Sequence, residues 1–244
     1  MESTKAEKKA GRLSVGIIGA GVVGVALGKA LASAGHIVVG VSAISKENLD
    51  RVEVMLPGVR VYQPAELIAL SDLILLAIPV EEIEPTVSGL AATNTWRPGQ
   101  LVMHTASEVS HEILLPATKL GAIPLAINPA MRFTGTSIDL ARMRESYFAV
   151  SAPVVALPIA QALVIEMGAE PIVIDESQRE KYAEAIAVAS SFSAMIVSQA
   201  IGLLEEAGVQ DAGLVIAPVV RSSVDEALAK GHREIDPKDL LGDK

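Results

Sequence analysis

The strongest constraint in this chain is a glycine pattern set between a strand and a helix. Residues 15–18 (VGII) are a short apolar run, Gly19, Ala20, Gly21, Val22, Val23 and Gly24 follow at once, and a helix-compatible stretch occupies 22–34. A G-x-G-x-x-G loop means little alone, because glycine is common in turns; between a buried strand and a helix it reads as a phosphate cradle. Gly19 then permits the tight turn, Gly21 lets the backbone approach a pyrophosphate, and Gly24 lets helix and strand pack closely. The helix N-terminus adds free N–H groups and the positive end of its dipole. All six loop residues are candidates for holding a dinucleotide, and Gly35 falls where a helix-terminating glycine belongs.

The strand–helix alternation continues. Residues 37–41 and 59–61 read as strands, 64–70 as a short helix opened by Pro64, and 73–78 (LILLAI) as a central strand closed by Pro79. Beyond it come a helix at 81–90, a strand at 101–104, a helix at 108–120 and strands at 122–127 and 147–150. A helix at 154–167 and a strand at 171–174 complete the pattern. This order predicts an α/β fold with a doubly wound, mostly parallel Rossmann sheet. Hydrophobic residues make up 50% of the chain and aromatics 3%, so the core is built from Ala, Val, Leu and Ile, which suits strands covered on both faces.

After residue 175 the pattern becomes helical only. One long helix is expected from 176 to about 208, and another over 211–230, kinked or restarted at Pro218. The expected organisation is a disordered, Lys-rich tail at 1–11, a dinucleotide-binding domain at 12–175, and a small all-helical dimerisation domain at 176–244.

The formal net charge of −9 argues against a nucleic-acid groove, and the absence of cysteine removes disulfides, thiolate zinc sites and a cysteine nucleophile. The charged N-terminus leads directly into a buried-type strand and does not read as a signal peptide. A cytoplasmic protein is expected. Residues 185–204 (AIAVASSFSAMIVSQAIGLL) carry no charge and are about long enough to span a bilayer. They also contain four serines and Gln199, with Glu184, Glu205 and Glu206 flanking, and no aromatic belt or Lys/Arg asymmetry gives an orientation. The preferred reading is a buried helix and no membrane. Tyr182, Ile186, Ala189, Phe192, Ile196, Gln199 and Leu203 share one face, while Val188, Met195 and Ile201 cover another. Such breadth predicts packing against a second copy in a homodimer; the alternative is a monomer that wraps this helix with its own last helices.

The end of the second strand reports on the ribose. NAD sites usually place Asp or Glu there, about 20 residues after the loop, to grip the 2′-OH. This chain offers Ser42, Ser45 and Lys46: no carboxylate to repel a 2′-phosphate, and one cation to neutralise it. NADP is therefore preferred over NAD, although Lys46 also reads as the start of a solvated helix. Ile78, Pro79 and Val80, with His104, Thr105 and Ala106, end central strands and are expected to border the nicotinamide.

For chemistry, reduction of a C=O or C=N bond needs a proton or a stabiliser for developing charge. His104 is the candidate, and it equally reads as a histidine hydrogen-bonded at a strand end. Asn128 is a candidate hydrogen-bond donor to a substrate carbonyl or carboxamide, and cannot act as acid or base. Arg132, in the MRFTGT loop, is either a carboxylate clamp or a surface arginine; Arg221 is a second arginine of that kind. His36, His111 and His232 show no metal-ligand spacing and read as surface residues. No metal site is expected.

Together these segments resemble a family of Rossmann-like proteins in the 6-phosphogluconate dehydrogenase-like superfamily, predicted reductases akin to ketopantoate reductase or pyrroline-5-carboxylate reductase. The resemblance covers about residues 13–230. It rests on GVVGVALGKALASAGH (21–36), GVSAIS (40–45), LILLAIP (73–79), WRPGQLVMHT (96–105), NPAMRFTGTSIDLA (128–141) and VIEMGAEP (164–171). It implies NAD(P)-dependent reduction of a small carbonyl or imine compound, with an active site completed by a dimer. The family pattern reads His-Thr-Ser-Gly where this chain has His104, Thr105, Ala106 and Ser107, and His-Pro where it has Asn128 and Pro129. A His and an Asn of the family's long helix fall at Val188 and Ser191, and members run on for several helices past the position of Lys244. The resemblance thus implies a shortened, divergent member that keeps the cofactor half. A second reading stays open, a nucleotide-binding sensor or regulatory protein with impaired catalysis, as does a structural dimer with a decayed cleft.

Overall fold

Uninterrupted apolar runs become strands with both faces covered. In the computed structural model, which describes residues 11–232, eight strands form one sheet in the order β3-β2-β1-β4-β5-β6-β7-β8. They are β1 (Ser14–Ile18), β2 (Ile37–Ser42), β3 (Arg60–Val61), β4 (Leu73–Leu76), β5 (Leu101–His104), β6 (Ile123–Pro129), β7 (Tyr147–Ser151) and β8 (Glu170–Val173). Every neighbouring pair is parallel except β6 with β7, which is antiparallel. The helices of this part are α1 (Val22–Ser33), α2 (Lys46–Met55), α3 (Pro64–Leu70), α4 (Val80–Ala92), α5 (Leu115–Thr118), α6 (Ile138–Met143) and α7 (Leu157–Glu166). The tail reading at 1–11, apart from Gly11, and the polar end of the chain after His232 lie outside the described residues.

The period-two alternation of strand side chains divides the core between the two faces. Val15, Ile17, Leu73, Leu75, Leu101 and Met103 point to one face, where Leu27 and Leu31 of α1 and Leu163 and Val164 of α7 cover them. Ile74, Leu76 and Val102 point to the other, under Leu67 and Ile68 of α3 and Ile83 and Val87 of α4. Trp96 closes that second cluster and donates its indole N–H to the Val87 carbonyl at 3.1 Å. Fully burying each such side chain is worth about 1.5–3 kcal/mol.

Several elements differ from the sequence expectation. Strand β4 ends at Leu76, so Ala77, Ile78 and Pro79 form a turn before α4. The helix expected at 108–120 is absent as such: residues 105–110 are irregular, His111–Leu114 is a 3₁₀ turn, and α5 is a single turn with Pro116 near its start. The expected start of α7 at 154 moves to Leu157, where Pro158 takes an N-terminal position that needs no amide donor. His36 is buried rather than a surface residue: its Nδ1 accepts from the Leu13 amide at 3.1 Å and its Nε2 lies 2.7 Å from Glu166 Oε2. Arg12 joins the same carboxylate at 2.5 Å.

The chain forms two compact units that divide between Glu184 and Ala185, inside the helix α8 (Arg179–Ala187). A π-helical turn at Val188–Phe192 interrupts the expected single long helix before α9 (Ser193–Glu206). In this second unit α9 is followed by α10 (Ala212–Lys230), which continues through Pro218. The two helices pack closely enough that a Cβ on Gly213 would sit 3.8 Å from Ile201. Among the described residues nothing buries the apolar helix. No part of the most apolar window within Glu176–Glu206 is buried, and Phe192, Met195, Ile196 and Leu203 are all more than half exposed. Leu214, Val215, Val219 and Leu228 of α10 are likewise more than half exposed. By length and composition, Glu176–Glu206, 31 residues long, is the one helix among the described residues able to cross a bilayer; its most apolar 18 residues have a mean hydropathy of 1.7.

Candidate functional site

The strand order reverses direction between β1 and β4, and in open α/β sheets ligands bind outside the carboxyl ends of the strands at that switch. A cavity of about 460 Å³ lies there, within the range of small-ligand sites. Gly19, Ala20 and Gly21 form its floor, Ser42 and Ser45 line one flank, and Ile78 and Pro79 the other. Sequence reasoning missed Asn48, Pro64, Glu82 and Thr86, which also line it. For the last two, the four-residue spacing on α4 was an available signal, because it puts both on one helix face.

The three glycines of the loop stand in different circumstances. Gly19 has φ +92°, and a Cβ there would meet the Ala77 carbonyl oxygen at 2.4 Å. A Cβ on Gly24 would meet the Gly19 carbonyl oxygen at 2.1 Å. Gly21 caps α1 in an ordinary extended conformation, φ −69°, and a Cβ on it would touch nothing within 4 Å. No side chain caps α1, and the N–H groups of Val22 and Val23 have no acceptor among the described residues. Val22, Val23 and Gly24 therefore contribute as the first turn of α1 rather than as cavity wall.

At the end of β2, Ser42 sits beside Ile18 in the sheet and Ser45 caps α2, accepting the Asn48 amide at 3.2 Å. Lys46 opens α2 and is exposed, outside the cavity lining; Val80 opens α4 and is likewise outside it. Strand register sets Ser42, Ile18, Leu76, His104, Ala126 and Ser151 in one row across the sheet. His104 is therefore level with Leu76, the residue before Ala77 and Ile78 of the cavity wall.

Beyond that wall lies a second polar group. His104 is fully buried, and its Nε2 donates to the Ser110 carbonyl at 3.1 Å. Desolvation by burial pushes its pKa down to about 4, only partly offset by that hydrogen bond. The ring is thus neutral at pH 7, its one proton engaged and its Nδ1 buried without a partner among the described residues. Asn128 is also buried; its Nδ2 donates to the Thr105 carbonyl at 2.8 Å, and its Oδ1 has no partner among the described residues. Buried Arg179 pairs with Glu176 at 3.0 Å and donates to Ser151 Oγ at 2.5 Å and to the Ser107 carbonyl at 3.5 Å. His111 joins the group, 3.3 Å from Glu176 and 3.4 Å from Ser151 Oγ, so it is not the free surface residue expected. Arg179 holds the Glu176 carboxyl below its ordinary range although burial opposes this. Arg132 lies exposed in the loop after β6, and Arg221 is exposed on α10; neither lines the cavity. No cluster of His, Cys, Asp and Glu among the described residues has metal-binding geometry.

Strand order, the switch-point cavity and the helices on both faces define a Rossmann-like α/β protein. The chain belongs to the Rossmann-like domain family, whose model matches residues 1–129. Residues 146–235 match a second family model, a domain of unknown function, DUF2520. No curated protein matches the chain. Among solved structures, a Bacteroides fragilis protein with a provisional NADP oxidoreductase assignment is 18% identical with a TM-score of 0.75, over 93% of this chain and 83% of that one. A 1-pyrroline-5-carboxylate reductase from Streptococcus pyogenes is 18% identical with a TM-score of 0.67, over 94% and 84%. An imine reductase from a Pseudomonas species is 16% identical with a TM-score of 0.65, over 90% and 76%. At such identities the likeness is one of fold.

Proposed function

We propose that this protein binds NADP in the cavity at the β1–β4 switch and uses it to reduce a small carbonyl or imine compound. Gly21 carries the reading. Gly19 and Gly24 are glycines for reasons internal to the fold, whereas Gly21 has an ordinary φ and open space where a Cβ would be. A glycine there serves something that approaches from outside the chain, as a pyrophosphate does at an uncapped helix N-terminus. The first-turn amides of Val22, Val23 and Gly24 then receive the phosphates, Ser42, Ser45 and Lys46 the 2′-phosphate, and Ile78, Pro79 and Val80 border the nicotinamide. The reduced form, NADPH, would supply the hydride when bound and leave as NADP+. The fold neighbours named as NADP oxidoreductase, pyrroline-5-carboxylate reductase and imine reductase support the substrate class.

The test is Gly21→Ala. Its thermal midpoint should stay within about 2 °C of wild type, since no contact changes, while NADPH affinity falls at least about tenfold. Unchanged affinity overturns the reading.

The exposed apolar face of residues 176–208 supports a homodimer through that helix, in a soluble cytoplasmic protein. A second reading, a nucleotide-binding sensor or regulatory protein, draws on the state of His104. Sealed from solvent and neutral at pH 7, it is poorly placed to donate a proton. Tight NADPH binding without oxidation against 2-keto acids, 2-keto lactones and cyclic imines would select this second reading.

A further inference from the structure

Three buried side chains from three elements converge on one short segment. Asn128 of β6 binds the carbonyl of Thr105, Arg179 of α8 that of Ser107, and His104 of β5 that of Ser110. None of the three is more than 8% exposed. The N–H groups from Thr105 to Ser110, by contrast, find no acceptor among the described residues. The segment is held instead by side chains, two of them distant in sequence. The arrangement is costly, because it buries a guanidinium and leaves His104 Nδ1 and Asn128 Oδ1 without partners. Simple packing would be served at least as well by apolar residues.

We propose that His104, Asn128 and Arg179 are positioning residues, which fix segment 105–110 with its carbonyls held inward and its N–H groups presented to an oxygen of a bound ligand. Register sets His104, the residue before the segment, level with Leu76, the residue before Ala77 and Ile78 of the cavity lining. Arg179 anchors the far side of the clamp through Glu176 and Ser151, and His111 braces the same pair. The fixed segment is independent of what the cavity binds; the ligand half rests on the proposed reductase reading.

Two substitutions at His104 separate a clamp from a packing role. Gln can still donate to the Ser110 carbonyl, whereas Leu fills the apolar volume without a donor. Backbone order parameters from ¹⁵N relaxation should stay near about 0.85 over 105–110 in wild type and His104→Gln, and fall below about 0.6 in His104→Leu. Equal values in the two variants overturn the clamp. Should His104→Leu fail to fold, Arg179→Met, which keeps an unbranched stem and removes every donor, tests the same point at Ser107, and order retained at 105–108 overturns it. The ligand half is read separately, from amide shifts at 105–110 on adding NADPH and then oxamate, a small carboxylate with a carboxamide. Wild type should respond and His104→Leu should not. Wild-type amides unmoved by both probes overturn this half, while a response from segment 105–110 without turnover of any substrate counts against the reductase reading alone.

Discussion

His104 donates its Nε2 proton to the Ser110 carbonyl across 3.1 Å and receives nothing at Nδ1 from the described residues. Burial lowers its pKa from 6.5 to about 4. Between those values the unfolded chain takes up a proton that the folded chain refuses, so stability is full above pH 6.5 and declines as pH falls towards 4. The ceiling on that loss is roughly 3 kcal/mol. His104→Gln keeps a donor and cannot titrate, so urea unfolding from pH 7 to pH 4.5 should show a flatter decline than wild type. Parallel declines would refute the protonation state assigned to His104.

Much of the first unit was legible because its signals are local. Pro64 announces α3, Leu73–Leu76 is apolar without a break, and the glycine loop follows β1 directly. The shape of 105–114 was not legible. Its helical-looking composition is overridden by Arg179 and Asn128, residues that only the folded sheet brings to it. The same holds for His111 and Glu176, separated by 64 intervening residues yet 3.3 Å apart. The reversal of β7 has no local signature either, since strand direction is a property of the pair and not of the strand.

Cofactor choice should turn on Ser42, which lines the cavity at the end of β2. An Asp at that position would accept from a ribose 2′-OH and repel a 2′-phosphate. Ser42→Asp should therefore shift the NADPH-to-NADH affinity ratio at least about tenfold towards NADH, a differential of roughly 1.4 kcal/mol. The shift should shrink as salt screens the exposed charge. Titration of nicotinamide fluorescence reads both affinities, and an unchanged ratio would remove Ser42 from the ribose site.

Gly24 offers the opposite contrast to Gly21. A Cβ at Gly24 would meet the Gly19 carbonyl oxygen at 2.1 Å, a backbone atom with no rotamer to yield. Gly24→Ala should thus cost about 1–3 kcal/mol through forced separation of α1 from the loop. Its thermal midpoint and its NADPH affinity should fall together, unlike Gly21→Ala, where affinity falls alone. A stable Gly24→Ala protein would mean that α1 yields more easily than the contact implies.

The last prediction concerns the apolar face that the described residues leave uncovered. Ile196 is 66% exposed and Phe192 55%, one turn apart on the helix that the π-turn re-phases. Neighbouring apolar residues of this size, exposed in one unit, form the kind of patch that marks an interface. A second copy suits it, because a two-fold interface sets the same patch against itself and needs no further partner. The interruptions at Ser190, Ser191, Ser193 and Gln199 are tolerable between two helices but disfavoured against lipid, where each polar group lacks water. Sedimentation at micromolar concentration should therefore give a dimer without detergent, and Ile196→Glu should give a folded monomer with unchanged far-ultraviolet circular dichroism. Recovery of the wild-type chain only in the membrane fraction would instead assign this face to lipid, and a wild-type monomer in buffer would overturn the dimer.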